Sequence, residues 1–172
     1  MPGIETERLL LVPFSLQMVE AALDRDSETW HMLSIRPHDE WPGEDIEGVL
    51  PLLARALEKD PTRAEWGRLI IHANIRTIIG DIGFQEPPND NGTVEMGYSI
   101  VPAYRKRGYA TEAGRAIIAW AFSRPEVKRV IANCLQDNQA SIRVLEKLGM
   151  KRMGVEASML QWEIGRNSRS NL

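Results

Sequence analysis

Cysteine is almost absent: Cys134 stands alone in 172 residues, which excludes an internal disulfide framework. It lies in the apolar run Val130-Ile-Ala-Asn-Cys-Leu135, the setting of a buried, unreactive thiol rather than a nucleophile. Histidine is nearly as scarce, and His31, His38 and His72 share no metal-ligand spacing with that cysteine, so no metal is expected. No apolar run approaches the ~18 residues of a membrane span, and Met1 to Glu5 lacks the basic and apolar regions of a secretory leader. A cytoplasmic protein with no membrane partner is the resulting expectation. Neither G-x-G-x-x-G nor G-x-x-x-x-G-K-[ST] occurs, which removes the two most familiar phosphate loops.

What is present suits a single domain with a core large enough to need no staples. Hydrophobic residues make up 43% and charged residues 26%, the balance of a globular chain. The domain is expected to span 1–166, and the polar run from Arg166 through 167–172 reads as a frayed tail. The net charge of -3 conceals an asymmetry. Residues 15–62 carry eleven Asp/Glu against four Lys/Arg, and residues 102–152 carry four against eleven. The acidic total argues against a nucleic-acid partner, whereas the basic part suits a polyanionic small molecule and the acidic part a cationic one. Solvated surface charge is the competing reading of the acidic part.

Periodicity gives the elements. Glu5 to Pro13 reads as a strand, and Ser15 as the cap of a helix carrying Met18, Val19, Ala22 and Leu23. Pro37 and Pro42 make 34–43 a loop or broken turn, and Ile46 to Leu57 reads as a helix that Pro51 interrupts without evident cause. Trp66 to Ala73, Thr77 to Phe84 and Thr93 to Val101 are β-rich and successive, hence an antiparallel meander. A helix over 108–123 and a strand over 127–135 follow, and the crossover makes strands 93–101 and 127–135 parallel. Gln139 to Leu148 forms a last helix ended by Gly149, and 150–155 and 158–165 are closing strands with a short connection. The fold class is therefore α/β (α+β), a mixed and mostly antiparallel sheet of six to seven strands with about four helices.

The chemistry-bearing stretch is Thr93 to Ala113, where a strand ends at Pro102 and a basic loop opens a helix. The first N–H groups of such a helix are unpaired, the macrodipole adds positive charge, and Arg105, Lys106 and Arg107 bring full charges. Gly108 and Ala110 keep side chains from blocking the backbone donors. The stretch reads as a pyrophosphate clamp, with solvated basic surface as the competing reading.

Arg105-Lys-Arg-Gly108-Tyr-Ala110 resembles the Q/R-x-x-G-x-G/A loop of the GNAT superfamily of acetyl-CoA-dependent N-acetyltransferases. Glu95-Met-Gly-Tyr-Ser-Ile-Val-Pro-Ala-Tyr-Arg resembles the strand entering that loop, and Asn138-Gln-Ala-Ser141-Ile-Arg-Val-Leu-Glu-Lys-Leu-Gly149 resembles its N-x-x-S segment. Glu5-Thr-Glu-Arg8-Leu9 is similar to the T-x-R-L opening of the branch that includes ribosomal-protein N-terminal (Rim-type) acetyltransferases. The resemblance implies a GNAT fold, acetyl-CoA as co-substrate and a primary amine as acceptor. It implies that Ser99, Ile100 and Val101 bind the pantetheine arm by their backbones, that Arg105, Lys106, Arg107, Gly108, Tyr109 and Ala110 hold the pyrophosphate, and that Asn138 reaches the pantetheine. A plain helix cap is the competing reading of Asn138. Glu95 is the candidate general base, directly or through water, with a structural partner as the alternative.

Many relatives carry a tyrosine general acid where this chain has Leu145, which cannot donate a proton. Ser141, one helical turn earlier on the same face, is the candidate donor, with Tyr98, Tyr104 and Tyr109 as alternatives. Trp30 and Trp41 in the acidic arm suit a cationic amine with an apolar body. The oligomeric state is left open by the sequence, though members of the branch it resembles often pair, which makes a homodimer one of the states to be tested. The alternative function is a non-catalytic acyl-CoA-binding or sensing domain.

Overall fold

The computed structural model describes residues 2–167. Its strands are β1 (Ile4–Glu5), β2 (Leu9–Pro13), β3 (Arg36–Pro37), β4 (Gly67–His72), β5 (Thr77–Phe84), β6 (Thr93–Ile100), β7 (Arg129–Leu135), β8 (Lys151–Glu156) and β9 (Met159–Gly165). The helices are α1 (Leu16–Asp24), α2 (Ser27–Met32), α3 (Glu44–Glu47), α4 (Leu50–Lys59), α5 (Tyr109–Phe122) and α6 (Gln139–Lys147). One sheet runs β1-β2-β4-β5-β6-β7-β9-β8, with β3 on the end of β5 that β6 leaves free. Neighbours are antiparallel except β6–β7 and the short β3–β5 pair, which are parallel.

The seven longer strands are those the periodicity predicts. The two additional ones, β1 and β3, have two residues each, too few to carry an alternation. The segment 34–43 is a loop as expected, apart from β3. The helix expected over 46–57 divides at Gly48 and Val49 into α3 and α4, and Pro51 lies in the first turn of α4, where the missing N–H has no intrahelical partner to lose. Helix α2 has no counterpart in the sequence reading. Asp26 caps it, accepting from the backbone N–H of Glu28 at 3.0 Å and of Thr29 at 3.3 Å.

Both faces of the sheet are covered. Leu69, Ile70 and Ile71 are consecutive on β4 and all fully buried, a continuous apolar run rather than an alternation. On one face Arg68, opposite Ile82 in register, stacks on Trp120 of α5. On the other, Asp81 and its register partner Ser99 face Trp41, which packs edge-on against Trp30 and beside Phe14. Gly80 lets the two strands of this face approach: a Cβ there would lie 2.1 Å from the Ser99 carbonyl oxygen.

Arg166, expected to begin the frayed tail, is anchored instead. Its guanidinium donates to the carbonyls of Phe122 at 2.8 Å, Arg124 at 2.6 Å and Val127, closing the end of α5 onto β9. The remainder of the expected tail, from Ser168, lies outside the described residues. Arg166→Ala is expected to lower the unfolding free energy by about 2 kcal/mol, read from urea titration, because three carbonyls lose a charged donor at once. An unchanged midpoint would mean the contacts contribute nothing in solution.

Candidate active site

Strands β6 and β7 begin as partners and then part. Their parallel register runs only from Thr93↔Arg129 to Met96↔Ala132, although β6 continues to Ile100 and β7 to Leu135. Backbone groups alternate sides along a strand. On β6 and its extension the odd-numbered residues turn to β5, as the Gln85 N–H to Glu95 carbonyl bond (3.0 Å) and the Val101 N–H to Ile79 carbonyl bond (2.9 Å) show. Tyr98 and Ile100 therefore present their backbone toward the opening between β6 and β7. The Ile100 carbonyl is taken by Arg105 Nε at 2.8 Å, which leaves its N–H and both groups of Tyr98. Of the three residues expected to grip a pantetheine, Ile100 is thus oriented to do so. Ser99 turns away, and Val101 has both groups engaged, its carbonyl accepting from Tyr104 N–H at 2.9 Å. The sequence reading missed Tyr98 as a backbone contributor because it did not fix the parity of the strand.

The Tyr98 side chain enters the same opening from below. Its hydroxyl is buried and has no hydrogen-bond partner among the described residues. It faces Ser141 on α6 and has Cys134 close by, and burial pushes the phenol pKa up. Ser141 N–H donates to Asn138 Oδ1 at 3.1 Å, so Asn138 is a helix cap and keeps only its amide nitrogen for another partner. Leu145, 1% exposed, is core and leaves Ser141 and Tyr98 as the hydroxyls of this opening.

At the far end of β6 the chain turns through Pro102–Tyr104 and curls at Lys106 (φ 62) and Gly108 (φ 82) into α5. No side chain caps α5, and the first intrahelical bond is Glu112 N–H to the Gly108 carbonyl. The N–H groups of Tyr109, Ala110 and Thr111 thus have no acceptor in the helix, which is the arrangement that binds an anion. Gly108 supplies the positive φ, and a Cβ there would also meet Arg8 at 3.4 Å.

Arg8 and Glu112 hold this loop in place, and neither was singled out from the sequence as a site residue. Glu112 accepts from Thr6 Oγ1 at 2.6 Å, Arg8 N–H at 2.8 Å and Arg8 Nε at 2.7 Å, while Arg8 donates onward to the Arg107 carbonyl at 3.0 Å and covers the Tyr109 ring. Burial pushes the Glu112 pKa up, but these hydrogen bonds and the Arg8 charge outweigh it and hold the carboxyl below its usual range. The T-x-R-L pattern carried the signal: its Thr and Arg are the two partners of Glu112.

The opposite face of β6 has a different chemistry. Glu95 accepts from Asn133 Nδ2 at 2.8 Å, which is the structural partnership weighed for it. Gly97 is exposed, and a Cβ there would meet nothing within 4 Å. Beside it Asp81 Oδ2 accepts from Trp41 Nε1 at 3.1 Å and Ser99 Oγ at 3.0 Å. Burial pushes the Asp81 pKa up to about 6 against those two bonds, and the charge of Asp45 adds to the rise. A groove of about 470 Å³ reaches outward from Trp41 between α1, α2 and the 35–42 segment. Its lining mixes Arg25, Arg36 and His38 with Asp39 and Glu47, so it is not the acidic cage that the charge count suggests. Trp30 and Trp41, 4% and 5% exposed, are core residues packed edge-to-face on one another.

A carboxyl whose folded pKa is raised stabilises most below its ordinary value of 3.8, and that stability is lost as pH rises through about 6. Asp81→Asn stays neutral throughout. The wild type is therefore expected to lose about 2–3 kcal/mol relative to Asp81→Asn between pH 4 and pH 7 in urea titrations. A constant difference across that range would contradict the buried setting of Asp81.

The family model for the acetyltransferase (GNAT) domain matches residues 8–151. A Bacillus subtilis (strain 168) protein named as an uncharacterized N-acetyltransferase, YjdG, is 32% identical over 160 residues, covering 92% of this chain and 95% of its own. Two solved structures share the fold. One is RimL, a ribosomal L7/L12 alpha-N-protein acetyltransferase in complex with coenzyme A (TM-score 0.68, 16% identity, 95% and 97% covered). The other is the microcin C7 self immunity acetyltransferase MccE in complex with acetyl-CoA and AMP (TM-score 0.63, 16% identity, 93% of each covered). With its divergent β6–β7 pair and uncapped α5 inside the matched region, this chain belongs to the GNAT acetyltransferase family.

Proposed function

We propose that the protein transfers an acetyl group from acetyl-CoA to a primary amine. The observation that carries this reading is a single track, formed by the β6–β7 opening with the unpaired backbone groups of Tyr98 and the N–H of Ile100 and leading to the free N–H groups at the start of α5. The pantetheine adds to β6 as a strand would, and the pyrophosphate sits on the Arg105 to Ala110 loop. Asn138 offers its amide to the pantetheine. The departing thiolate takes a proton from Ser141, with the Tyr98 hydroxyl beside it, and a carboxyl on the arm face of the sheet takes a proton from the amine. The ligands of RimL and MccE support the donor assignment, since their names give coenzyme A and acetyl-CoA respectively.

Those two names point to different settings, ribosomal L7/L12 and microcin C7 self immunity, so fold does not choose among amines. The mixed charge of the groove favours a dipolar or peptide-like body, such as a protein N-terminus, over a polyamine. A sensing domain that binds acetyl-CoA without turnover is the second reading, favoured by Leu145 in the core at the position of the usual acid.

Calorimetry with acetyl-CoA, followed by a free-thiol assay over peptides, amino acids, an aminoglycoside and a polyamine, separates the readings. Binding with thiol release supports the transferase, and binding without release for any amine supports the sensor. Arg105→Glu combined with Gly108→Asp is expected to weaken acetyl-CoA binding by at least about 100-fold, because it places two carboxylates at the anion site and strains φ at 108. Retained affinity would remove the loop from the donor site.

A further inference from the structure

The two faces of β6 carry different kinds of group. Even-numbered side chains, Tyr98 among them, point toward α5 and α6, and the odd-numbered ones toward the arm. On the neighbouring strand the arm face carries a second carboxyl, Asp81, opposite Ser99 and so two residues along from the open space over Gly97. Its position is fixed three ways. Gly80 brings β5 hard against Ser99, Ser99 Oγ and Trp41 Nε1 both bind Oδ2, and Trp41 is wedged between Phe14 and Trp30. The other oxygen, Oδ1, has no hydrogen bond among the described residues and is not sealed from solvent. Such a carboxyl is oriented by one oxygen and available through the other. Glu95 is placed differently, on the β7 side of Gly97, with Oε1 occupied by Asn133.

We propose that Asp81, rather than Glu95, receives the acceptor ammonium and takes its first proton. The inference rests on the acetyl-transfer reading above and names the acceptor end of that site. The ammonium donates to Asp81 Oδ1 and transfers one proton, leaving a neutral amine and a carboxylic acid held by Trp41 and Ser99. The nitrogen lone pair forms the N–C bond to the thioester carbonyl carbon, and the second nitrogen proton passes to water as the C–S bond breaks. The sulfur leaves as a thiolate and is protonated from the Ser141 side of β6, and Asp81 returns its proton to solvent. One ammonium and one thioester thus give one amide, one thiol and one released proton.

The surroundings suit this work. Asp81 faces apolar Leu69 from β4, the Ser99 hydroxyl from β6 and the Trp41 indole from the 35–42 segment, and the charged group acting on it is Asp45 of α3. Burial and Asp45 together bring its pKa to about 6, closer to that of an amine than an ordinary aspartate is, which is where a base gains most at neutral pH. The groove on the arm side is lined by Trp41, whose indole N–H holds Oδ2.

The test uses the free-thiol assay with the fastest amine of the panel, at saturating acetyl-CoA, for wild type, Asp81→Asn, Glu95→Gln and Ser99→Ala. Asp81→Asn is expected to lower kcat/KM for the amine by about 100-fold or more, with the KM for acetyl-CoA within about twofold. Glu95→Gln is expected to lower it by less than about tenfold. Ser99→Ala keeps the backbone but removes one donor from Oδ2, so the acid limb of the pH profile moves upward by several tenths of a pH unit. Asp81→Asn activity within about threefold of wild type, or a larger loss in Glu95→Gln, overturns the assignment. If Asp81→Asn does not fold by circular dichroism, Ser99→Ala carries the test, and an unmoved acid limb overturns it. A wild type that releases no thiol with any amine overturns this inference together with the transferase reading, whereas an active Asp81→Asn overturns this one alone.

Discussion

Two parallel strands that share four rungs and then separate are the constraint on which the molecule turns. A sheet interior ordinarily pairs every backbone group, since an unpaired one costs about 1–3 kcal/mol when buried. Here the core keeps β6 and β7 apart beyond Met96 and Ala132, and α5, α6 and β9 are fixed around the opening by that crossover. The unpaired groups of Tyr98 and Ile100 make this a place where a ligand chain can complete a sheet. The orphaned Tyr98 hydroxyl has the same origin, because it projects into space that a tightly paired β7 would fill.

The anion-binding end depends on a separate set of contacts at the other terminus of the chain. Positive φ at Lys106 is unfavourable without support, whereas Gly108 adopts it freely, and the support comes from residues a hundred positions away. Arg8 grips the Arg107 carbonyl and Glu112 together, while Thr6 shares the same carboxylate. Glu112, the acidic residue within the first turn of α5, also interacts favourably with the positive end of the helix dipole. Arg105 is tied to the end of β6 in turn, so the loop is fixed at both ends before any anion arrives.

Much of this was legible in the sequence, for identifiable reasons. The β6–α5–β7 unit could be read because a long alternation, a basic glycine loop and a proline-ended helix lie next to one another, and each is a local signal. Asn138 and Ser15 were legible as caps for the same reason. The split of α3 and α4 was not, since Pro51 reads alike as a break and as a first-turn residue until the preceding helix is seen to stop. Strand parity also escaped: Ser99 and Val101 turn their N–H groups toward β5, while Tyr98 and Ile100 turn toward the opening. The arm was misjudged because charge was summed along the chain. In three dimensions Arg25 pairs with Glu47, and Arg36 and His38 line the same groove. Asp81 escaped notice as a lone charge in an apolar strand, and its meaning depends on Trp41, forty residues earlier.

The alternation of β6 has a kinetic side. Groups suited to a thioester and its leaving sulfur lie on the face toward α6, and groups suited to an amine lie toward the arm. A strand is only one residue thick, so two molecules approaching from its opposite faces reach one another without either crossing the path of the other. Such a partition imposes no order of arrival. On the proposed reaction no acyl group need rest on the protein between half-reactions, and the chain's one thiol, 6% exposed, packs in the core.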